Sequence, residues 1–137
     1  MSTSYQDALR DAVINLLTTY AGTTAYISVY TGTAPAKVSN AFVPFTGTLL
    51  AAFPLPNPIG ATAVHGVLTL GAISNVNGAA SGTPGYYTLN TSATDTDTTR
   101  LVQGSAGVGS GDLNFSATIV SGSPVSITSF TFTEGDP

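Results

Sequence analysis

The sequence predicts a mainly β protein, an antiparallel β-sandwich or jelly-roll-like domain with one N-terminal amphipathic helix, and three observations carry that expectation. Charged residues make up 7% of the 137-residue chain, against roughly a quarter in ordinary domains. Their place is taken by Thr, Ser, Asn and Gly, which favour strands and turns over helical bundles. One segment, near the N-terminus, repeats its apolar residues with helical period, and from Thr24 onward the period is two, in about seven short runs separated by glycines and prolines.

The helix is expected from about Tyr5 to Tyr20. Ser4 followed by Asp7 offers an N-cap pattern, and Gly22 supplies the stop. Leu9, Ala12, Val13, Leu16, Leu17 and Tyr20 fall on one face, expected to cover the core, with Asp7, Asp11, Asn15 and Thr18 opposite. Ile14 is an apolar residue on the polar side, and so a candidate partner contact. Thr24 to Tyr30 alternates with both faces useful. Thr31 to Pro44 reads as a long loop because of its prolines. Leu49 to Leu55 is a strand stopped by Pro54, Pro56 and Pro58. Further strands are expected at Gly66 to Ser74, Tyr86 to Asn90, Arg100 to Gln103 and Leu113 to Val120, with glycine-rich bends at Gly104 to Gly111 and Ser121 to Ser123. Ser92 to Thr99 reads as a polar surface excursion. In the last run, Val125 to Glu134, Val125 and Ile127 share one parity while Phe130 and Phe132 take the other. This implies either a bulge at Thr128 and Ser129, the preferred reading, or a strand buried on both sides.

A chain of 137 residues holds one domain, here expected to span residues 1–137. With 42% hydrophobic residues and a net charge of −4, it lacks the signature of a disordered chain. There is no Cys, which excludes thiol chemistry. Lys37, Arg10 and Arg100 are the permanent cations, too few for the phosphate neutralisation that nucleic-acid binding requires. No run approaches the roughly 18 apolar residues of a membrane helix, and the N-terminal residues lack a signal-peptide pattern. The expected protein is soluble, made in the cytoplasm, and binds neither nucleic acid nor membrane.

Catalytic and cofactor sites are not expected. His65 is the lone histidine and stands beside Gly66 without an organised nucleophile turn. Asp95 and Asp97 alternate as calcium ligands sometimes do, but the remaining loop ligands are missing, so a solvated loop is the expectation. Asp95, Asp97, Asp112 and Glu134 lack the burial that would keep one of them protonated as a general acid. The glycines of GSAGVGSGD are turn glycines and do not join a strand to a helix. Tyr86 and Tyr87 suggest a sugar-stacking platform, but neighbouring strand residues point to opposite faces, so one belongs to the core.

Four stretches resemble small virion proteins of tailed bacteriophages: YTGTAPA at Tyr30 to Ala36, LLAAFPLPNP at Leu49 to Pro58, ASGTPGYYTL at Ala80 to Leu89, and GDLNFSATIVSGSPVSITSFTFTEG at Gly111 to Gly135. The resemblance implies a capsid cement or decoration protein that binds the major capsid protein on the outer surface of the assembled head and stabilises it. A tail or head-completion component, or a carbohydrate-binding host-recognition module, is the alternative. It implies no catalytic residue, metal or cofactor. A surface this poor in charge, with one lysine to guard its strand edges, also fits self-association as a dimer or trimer. Candidate contact residues are Ile14 on the helix, Pro35, Lys37, Phe42 and Phe45 in or beside the long loop, and Phe132 and Glu134 in the tail.

Overall fold

In the computed structural model, β1 (Tyr26–Tyr30) is the strand around which the rest is organised, because it is hydrogen-bonded on both sides. The structure describes residues 6–35, 37–38, 41–42, 47–96, 99–127 and 130–133. Along the chain, α1 (Asp7–Ala21) precedes β1, and β2 (Lys37–Val38), β3 (Ala41–Phe42) and β4 (Leu49–Pro54) follow it. Next come β5 (Val67–Thr69), β6 (Val76–Asn77), β7 (Tyr86–Asn90) and β8 (Arg100–Val108), then β9 (Leu113–Phe115), β10 (Pro124–Val125) and β11 (Thr131–Thr133). The main sheet has the order β4-β1-β7-β8-β9, and β11 with β5 and β10 with β6 form short separate ladders. The result is mainly β with one helix near the N-terminus, an antiparallel-dominated sheet and a sandwich-like second layer, as expected.

Register sorts the sheet into two unlike faces. Ile27 lies opposite Phe53 and Leu89, and Val29 opposite Ala51 and Tyr87. These side chains form the apolar core together with Leu68, Leu70, Phe130 and Phe132. The ring of Tyr87 meets Phe130 edge-on at 5.1 Å, which joins the main sheet to the second layer. Each large apolar side chain fully buried here contributes about 1.5–3 kcal/mol relative to exposure. On the opposite face Ser28 lies across from Thr88 and Tyr30 across from Tyr86. These residues are buried as well, so β1 and β7 are covered on both sides.

Several expectations change in detail. The loop after β1 contains a small hairpin, β2 paired with β3. The strand expected from Arg100 to Gln103 runs on to Val108, through glycines read as a bend. Gly104 sits opposite Tyr87, and a Cβ there would lie 2.7 Å from the tyrosine ring. The glycine thus makes room for an aromatic neighbour and does not break the strand. β9 is shorter than the expected Leu113 to Val120 and pairs with β8 in parallel. The tight return between them passes through Gly109 and Gly111, both at positive φ. The last run divides into β10 and β11, which belong to different ladders. Val125, Ile127, Phe130 and Phe132 are all buried, which agrees with the change of parity, while Thr128 and Ser129 lie outside the described residues.

Candidate functional site

The helix turns the opposite way from the one its apolar pattern predicts. Leu9, Val13, Leu16 and Tyr20 are 50%, 43%, 52% and 69% exposed, whereas Ile14 and Leu17 pack against the core and Ala21 is buried. The reason lies in what the inner face meets. Residues 64–67 form a two-residue hairpin turn closed by mutual bonds between Val64 and Val67, with His65 and Gly66 both at positive φ, the combination such turns require. Their neighbourhood presents backbone donors that need acceptors. The Asn15 side chain accepts from the Ala63 amide at 2.9 Å, and Asp11 accepts from the Gly66 amide at 2.5 Å. Asp7 meets His65 Nδ1 at 2.7 Å, and Arg10 donates to Asp7. The Arg10 guanidinium lies against Gly66, where a Cβ would come within 2.8 Å of it. Hydrogen bonding to His65 lowers the Asp7 pKa, and the same bond raises that of His65. Asp7, Asp11 and Asn15, spaced at i, i+4 and i+8, form a stripe of acceptors that holds the helix to the turn. The apolar stripe is left outside.

That outer stripe borders an open groove of about 410 Å³. It is lined by Val13, Leu16 and Tyr20 of α1 and by Leu101, Val102 and Phe132 of the β portion. With an exposed helix face along it, the groove offers a contiguous apolar surface of the kind that marks an interaction site.

The second notable group of side chains is buried beneath the polar face of the sheet. Arg100 clamps Asp95 with Nε to Oδ1 at 2.8 Å and Nη2 to Oδ2 at 2.9 Å. Tyr30 and Thr88 hydroxyls donate to the same Oδ2 at 2.8 and 2.9 Å, and Asn90 donates to Thr88. Arg100 Nη1 reaches Gln103 at 3.1 Å, which in turn donates to the carbonyl of Pro35. The side chains of Arg100 and Asp95 are 1% and 2% exposed. The expectation that Asp95 lies in a solvated loop is therefore corrected: it is a buried ion-pair partner. Four donors converge on its carboxylate, three on Oδ2 and one on Oδ1. The network ties the excursion after β7 and the loop after β1 to the sheet. Burial, reinforced by the bond to Asp95, raises the pKa of Tyr30, and burial pushes that of Tyr87 up to about 12.

The other candidate residues are scattered. Phe132 is buried in the core, 8% exposed, and the tail reading for it gives way to packing against Phe130 and Tyr87. Ile14 is half-buried on the inner side of α1. Pro35 is half-buried and anchored through its carbonyl. Lys37 and Phe42 are backbone partners in the β2–β3 register, and Phe45, Asp97 and Glu134 lie outside the described residues. Tyr86 and Tyr87 are both buried, so neither serves an exposed sugar platform. The strand edges are better covered than the lysine count suggests. Ala79 donates to Leu50 on the outer edge of β4, and β9 at the other edge has three residues. The spacing 9, 13, 16 and 20 identifies an apolar face but not which way it turns, so the sequence held no signal for the outward orientation. No protein-family model matches the chain, and neither a curated protein nor a solved structure matches it.

Proposed function

We propose that this protein is a non-catalytic structural component that acts by docking on other protein surfaces, and that it serves as a cement or decoration protein of a phage head. The observation that carries the docking role is the outward orientation of Leu9, Val13, Leu16 and Tyr20 beside an apolar groove. The four segments resembling phage virion proteins supply the more specific role.

Magnitudes favour a protein that works in many copies. Roughly half of each stripe side chain remains exposed, so covering the stripe gains about 3–6 kcal/mol on the scale of 1.5–3 kcal/mol per fully buried side chain. Association costs about 4–15 kcal/mol in lost freedom. One such contact is weak, but a repeating shell presents many, and neighbouring contacts reinforce each other. Binding only the assembled shell stabilises it by linkage.

Heads prepared without the protein, then incubated with it and heated, test this reading. The expected result is occupancy near the copy number of the capsid subunit, or a simple fraction of it, with disruption shifted to higher temperature. A Leu16→Glu variant should bind at least tenfold more weakly. A few copies confined to the tail, with no shift in disruption temperature, would replace the cement role with that of a tail component.

A further inference from the structure

We propose that Asn77 is a site of spontaneous deamidation gated by the fold. The Asn77–Gly78 pair converts to an aspartyl or isoaspartyl linkage when the β6–β10 ladder opens, and the isoaspartyl product uncovers the outer edge of β4. The site does not depend on the docking role.

Of the chain's asparagines only Asn77 is followed by glycine; the others precede Leu16, Ala41, Pro58, Val76, Thr91 and Phe115. The following residue matters because its main-chain nitrogen is the nucleophile that attacks the asparagine side chain. A side chain there crowds the approach, a β-branched one most of all, and proline has no N–H to give up. Glycine leaves the nitrogen open and the backbone free to bend. Packing dictates this glycine: a Cβ at position 78 would collide with the carbonyl oxygen of Val120 and lie 2.9 Å from Ile119 Cγ2, a close backbone approach of the kind that calls for glycine in a strand. Asn77 itself is exposed, and Gly78 is buried.

The reaction consumes only water. The Gly78 amide gives its proton to a base and its nitrogen attacks Asn77 Cγ. An N–C bond forms, the Cγ–Nδ2 bond breaks, and ammonia leaves with a proton from solvent. Water then opens the cyclic imide at either carbonyl. Opening at Cγ restores the ordinary chain with aspartate at position 77. Opening at the main-chain carbonyl leaves the chain running through Cγ, one methylene longer, with the carboxylate on Cα. Either product adds a negative charge.

In the folded chain the nucleophile is engaged. Gly78 donates its N–H to the Ser123 carbonyl at 2.9 Å, and its own carbonyl accepts from Gly122 at 2.9 Å. Asn77 is fixed opposite Pro124 in the register of β6 with β10, and closing the imide ring requires a main-chain rotation that this extended pairing forbids. The ladder is nevertheless small. It has two residue pairs, with Asn77 and Pro124 exposed and Val76 half-buried, and such elements open at far lower free energy than a core. Imide formation is slow beside reclosing, so the conversion rate tracks the open population. The next residue, Ala79, donates to the Leu50 carbonyl on the outer edge of β4 at 2.7 Å. A methylene inserted into the main chain at position 77 displaces Ala79 from that carbonyl and leaves the edge open to strand addition.

Peptide mapping by mass spectrometry of the full chain, held for weeks in mildly alkaline buffer, tests the proposal, beside a sample unfolded in guanidinium chloride and two variants. The folded wild type should convert at Asn77 before any other asparagine, about tenfold or more slowly than the unfolded chain. Val125→Ala, which removes packing under the ladder, should speed conversion severalfold, whereas Ile14→Ala, which loosens α1, should leave the rate unchanged. The isoaspartyl fraction, separated by its charge, should show faster hydrogen exchange at the Ala79 amide and unchanged exchange at Ile27. Equal rates in the folded and unfolded chains, or conversion confined to the unfolded one, overturn the gating. An absent effect of Val125→Ala, or equal acceleration by both variants, also overturns it by removing the ladder as the gate. Unchanged exchange at Ala79 in the isoaspartyl fraction overturns the link to the β4 edge.

Discussion

Asp95 shows how a single residue can look expendable in a sequence and be central in a fold. In TDTDTTR it stands among threonines with Asp97, and such a run usually reads as solvated. Its partner Arg100 is five residues away on β8, and Tyr30 and Thr88 reach it from β1 and β7. No local pattern reveals that convergence, because it depends on strand order. Replacing one member of a buried ion pair leaves the other charge without compensation, at a cost of about 3–5 kcal/mol. Asp95→Asn should therefore lower the midpoint of urea unfolding by an amount equivalent to that loss. The double variant Asp95→Leu with Arg100→Met should recover a substantial part of it, since two apolar side chains leave no stranded charge. Equal losses for the single and double variants would show that shape, rather than charge, holds this site.

At the scale of the element, α1 separates what periodicity reveals from what it does not. The period of its apolar residues identified the helix and its end near Gly22, where the backbone turns to positive φ. Periodicity identifies two faces but does not say which one meets the core. Here the backbone amides of Ala63 and Gly66 require acceptors, and Asn15 and Asp11 provide them. Ile14 and Leu17 then supply the apolar contact between the polar tethers. Asn15→Ala leaves the Ala63 amide without its acceptor, a loss of about 1–3 kcal/mol. Leu16→Ala changes an exposed position and should alter stability by no more than about 0.5 kcal/mol. Chemical denaturation of the two variants distinguishes this arrangement from the one the apolar pattern predicts, in which Leu16→Ala would be the costly substitution. The strands were more legible than the helix orientation. β1, β4 and β7 fall within the runs Thr24 to Tyr30, Leu49 to Leu55 and Tyr86 to Asn90 expected for them, while β8 was cut short in the sequence reading because Gly104 looked like a bend when it makes room for Tyr87.

For the whole molecule, the two sheet faces and the helix divide the work. One sheet face forms the apolar core, the other buries the Asp95 network, and α1 is held by polar tethers with its apolar side turned out. Among the described residues, Leu9, Val13, Leu16 and Tyr20 place four exposed large apolar side chains on this one element, the surface on which the proposed docking role rests. The spacing of Leu9, Val13, Leu16 and Tyr20 shows an apolar stripe, but an outward stripe and a core-facing one look alike until the body of the protein is placed beside them. The orientation of α1 is the central claim, since the proposed docking role depends on it. The chain contains no cysteine, so single-cysteine variants at Leu16 and Ile14 report on it cleanly. At concentrations low enough to keep the protein monomeric, the Leu16→Cys thiol should react with a soluble thiol reagent at close to the rate of the unfolded chain, and the Ile14→Cys thiol about tenfold more slowly or less. A fast thiol at position 14 with a protected one at position 16 would place the apolar stripe against the core and contradict the account.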